Sequence, residues 1–228
     1  MKYLIFIGIL STLFLGSCKS DRDEEQQATP VAVEDSTERL DTVFSGRDIA
    51  YLNQLRASKY AASKDAPIDW SKFAMVTSSQ DDSLLTSDFQ PDTAYYRKYG
   101  RLLRYSPDSS MFVDLDSYNI DFQKNKDGGL YPIEHGPDTE VSLVDLEKKQ
   151  KTRLVFLGPG NGVEDGGWID NNSVVLIGYH EKDTSKLKKA VIWRYHVPTK
   201  TFHVYESPDT SLVGRLLNWR KERFRQLL

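Results

Sequence analysis

The side chains of this sequence best suited to nucleophilic or metal chemistry are one cysteine, Cys18, and four histidines, His135, His180, His196 and His203. Zinc chemistry on a helix wants two histidines four residues apart with a glutamate beside the first. His180-Glu181 is followed by Lys182-Asp183-Thr184, so the second histidine is missing. Glu134, His135 and Asp138 lie close in a Pro/Gly loop, yet this loop alone supplies too few ligands to close a metal site. No Gly-x-Ser-x-Gly elbow is present. The run Gly158 to Gly167 has the glycines of a phosphate cradle, but such a cradle needs a helix N-terminus directly after it. Here Trp168 opens a strand, and Glu164 and Asp165 would repel phosphate. The run is therefore expected to be a flexible connection. No catalytic residue, metal site or cofactor is implied.

Residues suited to binding are easier to find. Tyr95, Tyr96, Tyr99 and Trp168 offer aromatic faces on which a glycan or peptide can stack, although most of them are expected in the core. A four-residue turn closed by Val197 and Lys200 would set Arg194 opposite His203, and His196 opposite Thr201. Trp193, Tyr195, Phe202 and Val204 then share the core face, and Arg194, His196 and His203 share the other. That second face is either an anion- or sugar-binding groove or an ordinary solvated sheet face.

The elements that must carry these residues are mostly strands. Ser45 and Asp48 make a helix start, and Ile49, Leu52, Leu55 and Tyr60 continue it, so a helix is expected over 46–63. Residues 64–93, rich in Ser and Asp and containing Pro67 and Pro91, read mostly as loop. From Gly100 the apolar period becomes two. Strands are expected at 101–106, 110–116, 118–123, 140–146, 152–157, 166–170, 173–180, 189–197 and 201–206, separated by turns such as Pro107-Asp108-Ser109 and Pro198-Thr199-Lys200.

Two stretches repeat a pattern of aromatic residue, turn and apolar strand: Arg104 to Asp114, and Gly167 to Ile177. Downstream, 141–156 parallels 191–205 as a hairpin. Each half thus reads as four antiparallel strands and resembles a β-propeller blade, at the level of pattern and over about residues 100–206. A closed propeller takes about four to eight blades, and this chain has room for about two. The fold class is mainly β, with two four-stranded blade-like sheets forming a sandwich or a propeller fragment, an N-terminal helix and a C-terminal amphipathic helix.

The chain has 228 residues, 30 basic and 33 acidic side chains, and a formal charge of −3. That length supports a sizeable core. The near-neutral balance argues against a general nucleic-acid binder. A single cysteine excludes an internal disulfide and any multi-thiolate metal site.

The N-terminus carries an address. Met1-Lys2 is a basic start, and Tyr3 to Leu15 is an apolar run of 13 residues, too short to span a bilayer. It ends at Leu15-Gly16-Ser17-Cys18. This box resembles the lipobox of bacterial lipoproteins with a type II signal peptide, although Gly16 stands where Ala, Ser or Thr is usual. The resemblance implies that residues 1–17 are removed, that Cys18 is lipidated on its thiol and acylated on its new amino group, and that the membrane is a partner through this anchor. Several acyl chains, at about 0.8 kcal/mol per buried methylene, make such an anchor effectively permanent. The implied location is the outer membrane or cell surface, with the periplasmic face left open.

Residues 18–44 are polar and nearly aromatic-free, which makes them a lipidated acidic tether of about 30 Å average span. Eight acids and four bases lie between Lys19 and Arg47. The acids just after Cys18 resemble the export signal of surface lipoproteins, and a solvated tether reads equally well. Residues 45–228 form one globular β-rich domain. Its end, with Leu212, Val213, Leu216, Leu217, Trp219, Phe224, Leu227 and Leu228 on one arc and five bases against Glu222, either packs over the sheet or lies on an anionic membrane.

Two functions follow from these features. One is a non-catalytic binding or assembly lipoprotein with an envelope protein, peptide or glycan as partner and no nucleic acid. The other is a divergent hydrolase, which requires loop acids and His135, His180, His196 or His203 to converge in one pocket.

Overall fold

The computed structural model describes residues 44–64, 67–124, 126, 129–181 and 187–227. Cys18, the signal segment and tether residues 19–43 lie outside them. The expected helix start is present: the Ser45 hydroxyl accepts from the Asp48 amide, and the Asp48 carboxylate accepts from the Ser45 amide and hydroxyl. Phe44, expected as the tether's last residue, is instead buried, its ring 4.2 Å from that of Tyr205.

The single helix expected over 46–63 is two helices, α1 (Gly46–Leu52) and α2 (Arg56–Lys64). The break falls where polar side chains offer competing partners. Asn53 caps α1, and its side-chain oxygen accepts from the Trp70 indole at 2.8 Å. The first turn of α2 is then capped from a distance, the Ala57 amide donating to Asp165 at 2.9 Å.

Residues 64–93 hold more than the expected loop. After a short 3-10 turn (Trp70–Lys72) come β1 (Ala74–Gln80) and β2 (Thr86–Asp88), and α3 (Thr93–Tyr99) follows, capped by Asp92. Both strands are solvent-exposed along most of their length. Edge strands need no alternating apolar residues, so the period-two signal that marks half-buried strands is absent here.

The remaining strands are β3 (Arg104–Tyr105), β4 (Met111–Asp114), β5 (Ile120–Lys124), β6 (Leu130–Glu134), β7 (Thr139–Asp145), β8 (Gln150–Leu157), β9 (Gly162–Asp170), β10 (Ser173–Glu181), β11 (Lys188–His196) and β12 (Thr201–Ser207). All pairings are antiparallel. One sheet has the order β1-β12-β11-β10-β9, a second β2-β8-β7-β4-β3, and β5-β6 form a two-stranded ribbon. The two four-stranded units expected from sequence are therefore enlarged to five strands, each gaining an edge strand from residues 74–88. β6 carries Pro132, which a ribbon with a free edge tolerates and which hides the strand from a pattern search.

Val113, Leu143 and Leu154 of the second sheet pack against Val174, Leu176, Trp193 and Phe202 of the first in one core cluster. The first sheet's other face carries Val175, Ile177, Ile192 and Tyr205 and is covered by α1, α2 and α4 (Thr210–Leu227). Ala57 and Ala61 of α2 are fully buried beside Trp219 of α4, small side chains that let the two helices approach closely. On the far side of the second sheet, Phe112 and Val144 meet Tyr99, Ile120 and Phe224.

The hairpin β11–β12 has the expected register, with Arg194 opposite His203 and His196 opposite Thr201. Trp193, Tyr195 and Phe202 face the inter-sheet core, as expected. The opposite face is not an ordinary solvated one, because the helices cover it, and Arg194 pairs with the buried Asp48 of α1 at 3.2 Å. The C-terminal helix packs across the sheet through Leu212, Val213, Leu216 and Trp219. Among the described residues no helix is long and apolar enough to cross a membrane.

Two glycines give opposite expectations. A Cβ on Gly178 in β10 would sit 2.0 Å from the Gly162 carbonyl oxygen, backbone against backbone with no way to yield. Gly178→Ala is expected to cost about 2–3 kcal/mol. Gly214 of α4 has open space around its Cβ position, so Gly214→Ala is expected to stabilise by roughly 0.5–1 kcal/mol. Urea denaturation midpoints of the two variants read both signs.

Candidate functional site

The stretch 158–167, expected as a flexible connection, is mostly strand. Only 158–161 is a turn, with Gly160 at φ +85°, a left-handed conformation suited to glycine. From Gly162 to Trp168 every residue of β9 is buried. The register of β9 against β10 slips between Val163 and Asp165, so Glu164 is the extra residue of a β-bulge. A bulge re-aims neighbouring side chains, and here it buries two successive carboxylates at different partners.

Asp165 accepts from the Ala57 amide at 2.9 Å, from Arg104 at 3.2 Å and from the Gly166 amide at 2.9 Å. These donors offset the cost of burying its charge. Arg104 also donates to the Leu102 carbonyl, and the Trp168 indole donates to the Arg104 carbonyl at 2.8 Å. Tyr51 packs its hydroxyl over Gly167, where a Cβ would lie 2.3 Å from that oxygen. Burial, with the Asp165 charge behind it, pushes the Tyr51 hydroxyl up to about 12, so it stays protonated and able to donate.

Around this group lies a cavity of about 330 Å³, at the small end of the range for ligand sites. One wall comes from the end of α1 and the start of α2, with Tyr51, Gln54 and Arg56. The other comes from the segment around β3, with Arg101, Arg104 and Tyr105, and the edge strand β9 brings Asp165 and Trp168. Arg104 is mostly buried and paired with Asp165, whereas Arg56 and Arg101 are exposed at the surface. Among the described residues neither Arg56 nor Arg101 pairs with a carboxylate. The arrangement can bind an anionic or hydrogen-bond-accepting ligand.

The residues marked by sequence fall elsewhere, with one exception. Trp168 lines the cavity, although it is buried and held by its own hydrogen bond. Tyr95, Tyr96 and Tyr99 lie on α3 and pack with one another, Phe89, Phe112 and Phe122 against the second sheet. The Tyr95 hydroxyl donates to Asp114 at 2.7 Å, and burial together with that charge pushes its pKa up. The Tyr99 hydroxyl donates to the Ile120 carbonyl. His196 sits at the β11–β12 turn with Thr199, and His203 pairs in register with both Arg194 and Ser78.

The four histidines do not converge. His180 lies 3.1 Å from Glu206 at the end of the sheet opposite His196, and His135 lies 3.7 Å from Asp121 beside the β5–β6 ribbon. None of them lines the cavity. Glu134 pairs with Arg220, and Asp138 offers its backbone carbonyl to Asn119, so the 134–138 loop gathers no ligand set. Among the described residues no group of three metal-ligating side chains forms.

On the other side of the bulge, Glu164 points at Arg220 of α4, 3.5 Å away, and Arg220 continues to Glu134 at 3.1 Å. The Glu164 carbonyl accepts from Trp219 at 3.2 Å and from Arg223 at 3.1 Å. Arg223 also pairs with Asp116, and burial with the charge of Arg104 lowers its pKa to about 9. Arg220 and Arg223, expected to face water or membrane, thus point inward, whereas Arg225 remains exposed. Desolvation outweighs Arg220 and pushes the Glu164 carboxyl up to about 7, with Glu134 and Asp165 adding to the rise.

No protein-family model, no curated protein and no solved structure matches this chain.

Glu164 makes stability depend on pH. Unfolded, the carboxyl loses its proton near 4.5; folded, it keeps it to about 7. Its contribution is therefore full below about pH 4.5 and is lost as pH rises through 7, a change on the order of 3 kcal/mol. Glu164→Gln removes this titration with little change of shape. Urea midpoints at pH 5 and pH 8 are expected to show the wild type losing stability relative to the variant, and an equal difference at both values would contradict the assignment.

Proposed function

We propose that this protein is a lipid-anchored envelope lipoprotein that acts as a non-catalytic binding module, with the cavity at the β3–β9 flank as its site. One observation carries the reading: polar donors and aromatic walls meet in that cavity, while the histidines on which a hydrolase would depend are scattered. The partner is a glycan, a peptide or a segment of an envelope protein. Its location is the outer membrane or cell surface, where Cys18 holds the chain and residues 19–43 give the domain reach. The burial of Arg215 and Arg223 supports α4 as a packed element, leaving membrane attachment to the lipid.

Labelling with radioactive palmitate tests the anchor. The wild type is expected to take up label and to sediment with membranes, and Cys18→Ala to do neither; label on the variant would overturn the anchor. Binding is tested on arrays of envelope glycans and peptides. Tyr105→Ala, at an aromatic residue 40% exposed on the cavity wall, is expected to weaken any ligand found by roughly tenfold. A ligand held equally by the variant would place the site elsewhere, and clean arrays would remove the binding function.

A further inference from the structure

We infer that the cavity selects a small acidic sugar, one carrying two carboxylates or a phosphate ester. The inference rests on the cavity being the binding site proposed above. Three guanidiniums line this space, Arg56, Arg101 and Arg104, and Asp165 is the one carboxylate among the lining residues. Asp165 is committed to Arg104 and to the α2 amide, so it neutralises one cation and leaves two. A dianion balances that charge.

The guanidinium fork matches the paired oxygens of a carboxylate or phosphate, and two forks from opposite walls grip a ligand from both sides. Arg56 opens α2 on one wall, and Arg101 follows α3 on the other. Gln54 and the protonated Tyr51 hydroxyl add uncharged donors between them. Tyr105, Pro107 and Leu103 supply apolar surface for the flat carbon face of a sugar ring. Three other cavities among the described residues lack this set: in the one beneath the β11–β12 turn, Lys148 pairs with Asp145 and Lys200 with Asp82. The pocket between β8 and the β11–β12 face is mostly apolar, and the small one over Lys151 and Arg153 has Glu140 pairing with both cations.

The test is calorimetric titration of the full chain in detergent with digalacturonate and glucose 6-phosphate, beside neutral maltose and glucose. At least one acid is expected to bind at least tenfold more tightly than its neutral counterpart, and more weakly as salt is raised. Arg56 and Arg101 are exposed, so the double variant Arg56→Gln/Arg101→Gln is expected to fold and to lose at least tenfold in affinity for that acid. Which acid binds tells carboxylate from phosphate. Equal affinity for acidic and neutral sugars, no binding of either acid, or unchanged affinity in the double variant would overturn the inference. Neutral sugar binding that Tyr105→Ala weakens but the arginine variant does not would leave the binding function standing and remove its selectivity for acids.

Discussion

The structure turns on burying two adjacent carboxylates in an edge strand. β9 closes one sheet, and among the described residues nothing pairs with its outer side as a strand. Its bulge sends Asp165 to the start of α2 and to Arg104 beside β4, while Glu164 meets Arg220 and gives its carbonyl to Trp219 and Arg223 of α4. Helix α2, helix α4 and strand β3 therefore all depend on contacts from two neighbouring residues. For the buried pair of Asp165 and Arg104 this matters most: an exposed ion pair contributes at most about 1 kcal/mol, but removing one partner of a buried pair costs roughly 3–5 kcal/mol because the other charge is stranded.

That constraint explains the charge pattern at the C-terminus. Read alone, five bases against one acid look like a cationic face seeking an anionic surface. In the fold, Arg220 answers Glu134 and Glu164, and Arg223 answers Asp116, each acid lying far away in sequence. The apolar residues that interleave with them, Leu216, Trp219 and Phe224, are buried too. The helix is amphipathic against a core whose rim is acidic, so Arg215, Arg220 and Arg223 belong to the packed side, while Arg225 stays exposed beside Glu222.

Local rules made part of this legible from sequence. The capping box at Ser45, the register of β11–β12 and the existence of two multi-stranded units all follow from spacing within a few residues. What stayed hidden depends on distant partners. The break between α1 and α2 needs Asp165, more than a hundred residues away, and β1 and β2 are recognisable only by the sheets they border. Glu164 and Asp165 were visible as charges, but a rule that expects acids on the surface turns a buried strand into a flexible link. The tyrosines of α3 fall on the core side of the two readings open to them, since a cluster of aromatic residues is as good at closing a core as at presenting a platform.

The cavity inherits its charge from the same carboxylate that holds the fold. By capping α2 at Ala57, Asp165 fixes the backbone from which Arg56 projects, and by pairing with Arg104 it fixes a second cation on the facing segment. One negative charge thus sets the positions of two positive ones and cancels only one. Tyr51 adds a third tie, its hydroxyl seated on Gly167 where any larger residue would displace it. The chain reaches Tyr51 within two helical turns of Phe44, which is itself held against Tyr205, and Asp48 between them is held by Arg194. Where the chain enters the fold, its first helix is pinned by stacking and by a buried ion pair. The wall of the cavity is therefore set by the same contacts that anchor the domain's first helix.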